Sequence, residues 1–277
     1  MKFPSFFADA EESFSHADYV IVGVPYEDAS PSFREGAQFA PDAIREASWN
    51  FETYNLFNHN DLEDIKVHDF GNIDDLESLG QLVGRVVKDK KKIIVLGGSH
   101  SITPHVVAPV SKFYSHLGVL VTDAHLDYRD TYQDSPNNHA CAIRRLSEIV
   151  KINQITVVGI RSGCKEEKIQ SDADGLSYYT PDDVTRVGIK NILKKIDCDH
   201  IYLSIDMDAI DPSHAPGVST PEPFGLSAVD VLEIIREIAP RIIGIDVVEV
   251  CPSYDTGITA ILAAKFIREY ITWNNKN

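Results

Sequence analysis

Eight short apolar runs punctuate the chain: 19–24 (YVIVGV), 65–71 (IKVHDFG), 92–98 (KIIVLGG), 117–123 (LGVLVTD), 155–161 (ITVVGIR), 176–180 (LSYYT), 201–208 (IYLSIDMD) and 242–250 (IIGIDVVEV). They are rich in Val and Ile and mostly apolar on both faces, which predicts strands of a parallel sheet covered on both sides. Between them the period changes. In 74–91, Leu76, Leu79, Leu82, Val83, Val86 and Val87 recur at helical spacing, and 227–239 opens with Ser227 where an N-cap belongs. The stretch 41–48 begins with Pro41, tolerated in a first helical turn, and 256–273 is a long closing helix. Strand and helix alternate with no repeat, low-complexity tract or long linker. The pattern predicts one α/β domain over residues 1–277 with a mainly parallel sheet. In such folds ligands bind at the carboxyl ends of the strands.

Charged and polar residues gather at those ends. The run 117–122 is followed by DAHLD, with Asp123, His125 and Asp127 at alternate positions, so an extended backbone would send all three to one face. Another strand ends on Asp206 and Asp208, again two apart, before Pro212 turns the chain. A third ends in Gly97-Gly98, with room for a tight turn before His100, and a fourth carries Asp246 and Glu249. Taken singly, an Asp after a strand is often a turn former or a helix cap. Taken together, carboxylates and imidazoles from independent strands reach the same sheet edge. Bare, such a cluster costs many kcal/mol in repulsion and desolvation, and bound divalent cations remove that cost. Oxygen-rich ligands with two imidazoles and no thiolate suit Mn²⁺, with Fe²⁺, Co²⁺, Ni²⁺ or Zn²⁺ as competitors. Six side chains exceed the needs of one ion with an open position; two ions roughly 3.5–4 Å apart would use them all. An EF-hand is excluded, since neither Asp cluster has that loop's Gly and terminal Glu.

Composition changes this picture little. The chain has 277 residues, 43% hydrophobic and 25% charged, as expected of an ordinary globular protein. It carries 42 acidic against 26 basic residues, a net charge of −16, which makes nucleic acid a poor partner and would draw a cationic substrate to a negative cleft. No stretch reads as a membrane span or a secretory signal. Four scattered cysteines (Cys141, Cys164, Cys198, Cys251) form no C-x-x-C pair, which points to free thiols and a cytoplasmic setting.

GGSHS (97–101), DAHLD (123–127), SIDMDAIDPSHAPGVSTPEP (204–223) and DVVEVCPSYDTGITA (246–260) together resemble the ureohydrolases, the family of arginase and agmatinase. Weaker matches at 23–46 and in NNHACAIRR (137–145) extend the resemblance over nearly the whole chain. It implies a three-layer α/β/α sandwich around an eight-stranded parallel sheet, two Mn²⁺ per chain, and a homo-oligomer, trimer or hexamer. It also implies roles. His100, Asp123, Asp127 and Asp206 look like the ligands of one manganese, and Asp123, His125, Asp206 and Asp208 those of the other. Asp127 would also hold the bridging hydroxide, His139 would shuttle a proton, and Glu249 would receive a substrate guanidinium. Ser99 stands where most relatives carry Asp beside the ligand His100, so metal affinity is expected to differ. Val218, Ser219 and Phe224 depart from the usual loop, and no Gly follows His139.

TPEP (220–223) looks like agmatinase, and DSPNNH before His139 lacks the arginase pattern for an α-amino acid. The resemblance therefore implies a small cationic guanidine, agmatine, hydrolysed to putrescine and urea, with N1-aminopropylagmatine, guanidinobutyrate and arginine as alternatives. Two rival classes remain. DMDAI after a strand resembles the phosphatase motif of the haloacid dehalogenase kind, but that reading leaves His100, Asp123, His125 and Asp127 without a task. A non-catalytic metal-binding protein on the same fold is the other.

Overall fold

The structure is a computed structural model, and it describes residues 4–30 and 32–275. Each of the eight apolar runs contains a strand: β1 (Tyr19–Val24), β2 (Val67–Asn72), β3 (Lys92–Gly97), β4 (Leu117–Thr122), β5 (Ile155–Val158), β6 (Ser177–Tyr179), β7 (His200–Asp206) and β8 (Ile242–Val248). They form one sheet in the order β2-β1-β3-β8-β7-β4-β5-β6, and every pairing is parallel. Parallel neighbours need crossovers. Nine α-helices occur among the described residues: α1 (Ala40–Ser48), α2 (Leu76–Lys88), α3 (Thr103–Ser111), α4 (Ala142–Leu146), α5 (Lys165–Asp174), α6 (Pro181–Val187), α7 (Ile189–Leu193), α8 (Ala228–Ile238) and α9 (Ile258–Asn274).

Alternate strand residues point to opposite faces and build two apolar layers. Ile21, Ile94, Leu120, Leu203 and Ile245 meet Ile44 of α1, Ile234 of α8 and Ile267 of α9 on one side. Val20, Ile93, Val95, Val119 and Val157 meet Leu79 and Val83 of α2, Val106 of α3 and Ile143 of α4 on the other. The resulting α/β/α sandwich is the arrangement expected. The helix of 74–91 is α2, started by the Asp75 side chain, which accepts from Ser78 N at 2.7 Å. Ser227 caps α8 as its position predicts, accepting from Asp230 N at 3.1 Å.

The edge strand β2 departs from the expectation of two apolar faces: only Val67 in it is fully buried. Its Asp69 is instead clamped by Arg45 of α1, whose Nε and Nη2 donate to the carboxylate at 2.8 and 2.9 Å. A bidentate pair shielded from water does for this edge what apolar side chains do for the centre. No helix among the described residues is long and apolar enough to cross a membrane.

Candidate metal centre

Four strand ends at the middle of the sheet deliver the predicted residues to one region of the molecule. β7 ends on Asp206, and a 3₁₀ turn at Met207–Ala209 carries Asp208. β4 ends at Thr122, one residue before Asp123, and β3 leads through Gly97 and Gly98 to the 3₁₀ turn His100–Ile102. β8 ends one residue before Glu249. Gly98 is required by a close approach rather than by a tight turn: a Cβ there would lie 2.0 Å from the Tyr26 carbonyl oxygen.

Local backbone geometry explains how acids converge here. Asp123 Oδ1 accepts from the N–H of His125 at 2.6 Å, and Asp206 Oδ1 accepts from that of Asp208 at 2.9 Å. Each carboxylate thus uses one oxygen to hold the turn that follows it. The other oxygen faces the cluster: His100 Nδ1 lies 3.2 Å from Asp123 Oδ2, 3.2 Å from Asp127 Oδ2 and 3.3 Å from Asp206 Oδ2. His125 Nδ1 lies 3.0 Å from Asp208 Oδ2 and 3.7 Å from Asp123 Oδ1. Strand alternation alone does not produce this convergence, as the DAHLD spacing suggested. The strand is over by Asp123, and Asp127 turns inward through a left-handed backbone with φ of 44°. Glu249 is also left-handed, at φ 62°. Such conformations cost about 1–3 kcal/mol in non-glycine residues and gather where side chains must be aimed.

The cluster is electrostatically unfinished. His100 and Asp123 are fully buried, yet His100 Nδ1 and Asp123 Oδ2 make no hydrogen bond of acceptable geometry among the described residues. Burial and the charge of Asp127 push the Asp123 pKa up, and burial with the charge of Asp208 pushes Asp206 well above the carboxylate range. Burial opposes protonation of His125, but the Asp208 and Asp123 charges outweigh it and carry the ring to about 11. An orphaned buried nitrogen facing an orphaned buried oxygen among mutually repelling acids fits a cation between them. Two groups have metal-binding spacing, His100–Asp123–Asp206 and Asp123–His125–Asp208, and they share Asp123. Oxygen and imidazole donors suit a divalent transition ion.

An outer layer orients these groups. The far nitrogen of His100, Nε2, meets Ser204 Oγ at 3.3 Å, and that hydroxyl donates to Asp246 Oδ1 at 2.5 Å. Asp246 is completely buried and also accepts from Tyr202 OH at 2.8 Å and Thr103 Oγ1 at 2.9 Å. A carboxylate–hydroxyl–imidazole chain of this kind fixes the ring so that Nδ1 faces the cluster. The sequence placed Asp246 at a strand end without a task; its mark was a carboxylate inside an otherwise apolar strand.

Across the cavity, His139 opens a 3₁₀ turn whose N-cap, Asn138, accepts from Ala140 N at 3.1 Å. Burial lowers the pKa of His139, but the Asp28 bond and the charges of Glu249 and Asp127 leave it raised overall. Glu249 Oε1 accepts from the His100 backbone N–H at 2.7 Å, and Ser32 Oγ lies 3.4 Å from its other oxygen. Ser99, expected to act beside His100, turns its hydroxyl to Asp28 at 2.9 Å instead. Ser219 is buried and its N–H donates to the Glu249 carbonyl at 3.1 Å, whereas Phe224 is 88% exposed with φ 64°. Arg161 donates to the backbone carbonyls of Asp208, Ala209 and Gly159 at 2.8, 3.0 and 3.0 Å, so it ties the ends of β5 and β7 together. All four cysteines are free, as their spacing predicts.

His125, Asp127, Asp206, Asp208, His139 and Glu249 all line one open cavity of about 620 Å³. Its far wall carries Glu167, which accepts from the N–H groups of Tyr128 and Cys164 at 3.1 and 2.8 Å and faces Arg129 Nε at 3.3 Å.

A profile of the arginase family matches residues 17–272. The chain is 34% identical over 263 residues to agmatinase from Pyrococcus horikoshii, covering 91% of this chain and 90% of that one. It is 34% identical over 264 residues to the N(1)-aminopropylagmatine ureohydrolase of Thermococcus kodakarensis, covering 91% and 88%. The crystal structure of agmatine ureohydrolase of Thermoplasma volcanium superposes with a TM-score of 0.93 at 36% identity over 99% of this chain and 95% of that one. A match over nearly the full length, on an eight-stranded parallel sheet with the acid and imidazole cluster at its strand ends, means that the chain belongs to the arginase family, as an agmatinase-like ureohydrolase.

Proposed function

We propose that the chain is a binuclear manganese hydrolase that cleaves agmatine to putrescine and urea. The observation that carries this reading is two imidazole–carboxylate groups sharing Asp123 in a cavity that also presents Glu249. One ion would be held by His100, Asp123, Asp127 and Asp206, the other by Asp123, His125, Asp206 and Asp208. Bound there, divalent ions supply charge neutralisation and an acidified water as nucleophile at neutral pH.

The chain's own residues then divide the work. Glu249 seats the guanidinium. Among the lining acids, Asp127, Asp206 and Asp208 face the imidazoles of the cluster, and Glu167 is engaged by two N–H groups and Arg129, which leaves Glu249 for the substrate. A charge-assisted hydrogen bond from substrate to its carboxylate orients the planar cation. Asp127 accepts a hydrogen from the attacking water and so aligns it. Water adds to the guanidinium carbon, the bond from that carbon to the alkylated nitrogen breaks, and His139 relays the proton that the departing amine collects. The products are urea and a diamine.

The similarity to an enzyme named for N1-aminopropylagmatine makes that longer guanidine the second candidate, and the open cavity gives its tail room. The test is urea release by purified, Mn²⁺-loaded protein from agmatine, N1-aminopropylagmatine, guanidinobutyrate and arginine, with kcat/KM compared across the set. Highest turnover of agmatine is expected. Faster turnover of another guanidine overturns the substrate assignment, and no urea from any of them overturns the reaction. Parallel loading with Co²⁺, Ni²⁺ and Zn²⁺ tests the preference for manganese. A homo-oligomer, trimer or hexamer, in the cytoplasm completes the proposal, with light scattering as the check on assembly.

A further inference from the structure

Asp28 lies in the loop after β1, far from the metal-binding groups in sequence, and is 6% exposed. Every donor around it comes from a segment that carries a site residue. Its Oδ2 accepts from the backbone N–H of His139 at 2.7 Å, faces the ring Nδ1 of His139 at 3.0 Å, and accepts from Ser99 Oγ at 2.9 Å. Its Oδ1 accepts from Ser101 Oγ at 2.6 Å. Ser99 and Ser101 flank His100. The same loop is held a second time by Asn138, whose Nδ2 donates to the Ser30 carbonyl at 3.1 Å.

We propose that Asp28 is the positioning residue for His139: it holds the ring by Nδ1 and so presents Nε2 to the substrate cavity. Geometry and donor inventory lead to this assignment. A buried carboxylate that receives two hydroxyl and one backbone donor is ionised and acts only as an acceptor, so the nitrogen facing it carries the hydrogen. Burial alone would protonate Asp28, but these donors keep its pKa below the usual carboxylate value. Nε2 makes no hydrogen bond among the described residues, and the ring lines the cavity with its edge against Tyr132 at 5.8 Å between centroids. A neutral ring held this way has its lone pair on Nε2, where a proton can be taken up and passed on. Because Asp28 also grips both neighbours of His100, it sets the distance between the proton relay and the buried half of the metal centre.

The inference rests on the proton role proposed for His139, and its test separates the two. Asp28→Asn keeps size and most packing but loses the charge that fixes the tautomer. The expected result is a kcat for urea release lower by about tenfold to a hundredfold, with KM and bound metal per chain unchanged. In a His139→Ala background the same substitution is expected to cost nothing further. Nitrogen-15 spectra of His139 in metal-free protein, at a pH where the ring is neutral, should show hydrogen on Nδ1 in the parent and a mixture of tautomers in Asp28→Asn. An equal loss of kcat in both backgrounds, or a parent ring with its hydrogen on Nε2, overturns the positioning role. Full activity of His139→Ala, with the tautomer shift intact, instead removes His139 from the chemistry and leaves the Asp28 contact standing.

Discussion

The two halves of the metal centre are built differently. His100 is wholly buried and is backed by Ser204 and Asp246, so its ring is held from behind as well as in front. His125 is 21% exposed at its side chain, lines the cavity, and among the described residues has carboxylate contacts only on the Nδ1 side. One half is an interior polar network that water does not reach. The other is a surface that a substrate or a chelator can reach. If two ions bind as proposed, the buried half is expected to hold its ion more tightly than the open one.

Asp123 belongs to both metal-binding groups and, with Asp206, to both proposed ligand sets, so its replacement is the strongest way to break the contrast. Asp123→Asn is expected to lower urea release by several orders of magnitude and to reduce metal content at both halves, while circular dichroism stays that of the parent. Retention of two ions with undiminished turnover would make the shared-ligand assignment wrong.

A smaller, one-sided effect is expected from Asp246→Asn. It touches only the support of His100 and should weaken the tighter-held ion by about tenfold to a hundredfold, leaving the more exchangeable one unaltered. Competition with a graded series of chelators resolves the two affinities. Equal weakening of both would remove the distinction between the halves.

The smallest effect is in the metal-free protein and follows from the direction of its ionisations. Asp123 and Asp206 titrate above the ordinary carboxylate range because of burial and neighbouring acids, and His125 is raised to about 11. In each case the folded chain binds more protons than the unfolded one between the two pKa values, so stability falls as pH rises through that window. Asp208 has the opposite sign: burial opposes, but His125 lowers its pKa to about 2, and its contribution is lost only below the normal carboxylate range. Between pH 5 and 8 the melting temperature of metal-free protein should therefore decline, by roughly 2–4 °C per kcal/mol of linked ionisation, and added Mn²⁺ should restore more at pH 8 than at pH 5. A melting temperature that rises over this range in the absence of metal would contradict the cluster's electrostatics.

The central strands and the ligands at their ends were legible because both signals are local. Val- and Ile-rich runs fall within a window of six or seven residues, and the candidate ligands of DAHLD and SIDMD fall at every second position. What could not be read was non-local or broke a local rule. Asp28 has partners 71, 73 and 111 residues away, so no periodicity reveals it. The left-handed turn at Asp127 is invisible to a rule about extended backbone. Helix α3 is not among the helices the pattern predicts; it carries Pro104 in its first turn, where no hydrogen bond is lost, and Pro109 near its end. The polar edge strand β2 differs from its apolar neighbours because Arg45, not a second layer of hydrocarbon, covers it.

Gly98 has no side chain to offer the site and touches it through its carbonyl, which accepts from the Glu249 N–H at 2.8 Å, yet the Tyr26 carbonyl leaves no space for even a methyl group at that position. An alanine there would wedge apart the loops that follow β1 and β3, and Asp28 and His100 would be carried away from each other. In a saturation mutagenesis experiment position 98 should therefore score as intolerant as the metal ligands themselves, and an engineer who wishes to reshape this pocket should begin at Phe33, an exposed residue of its lining, and leave that glycine alone.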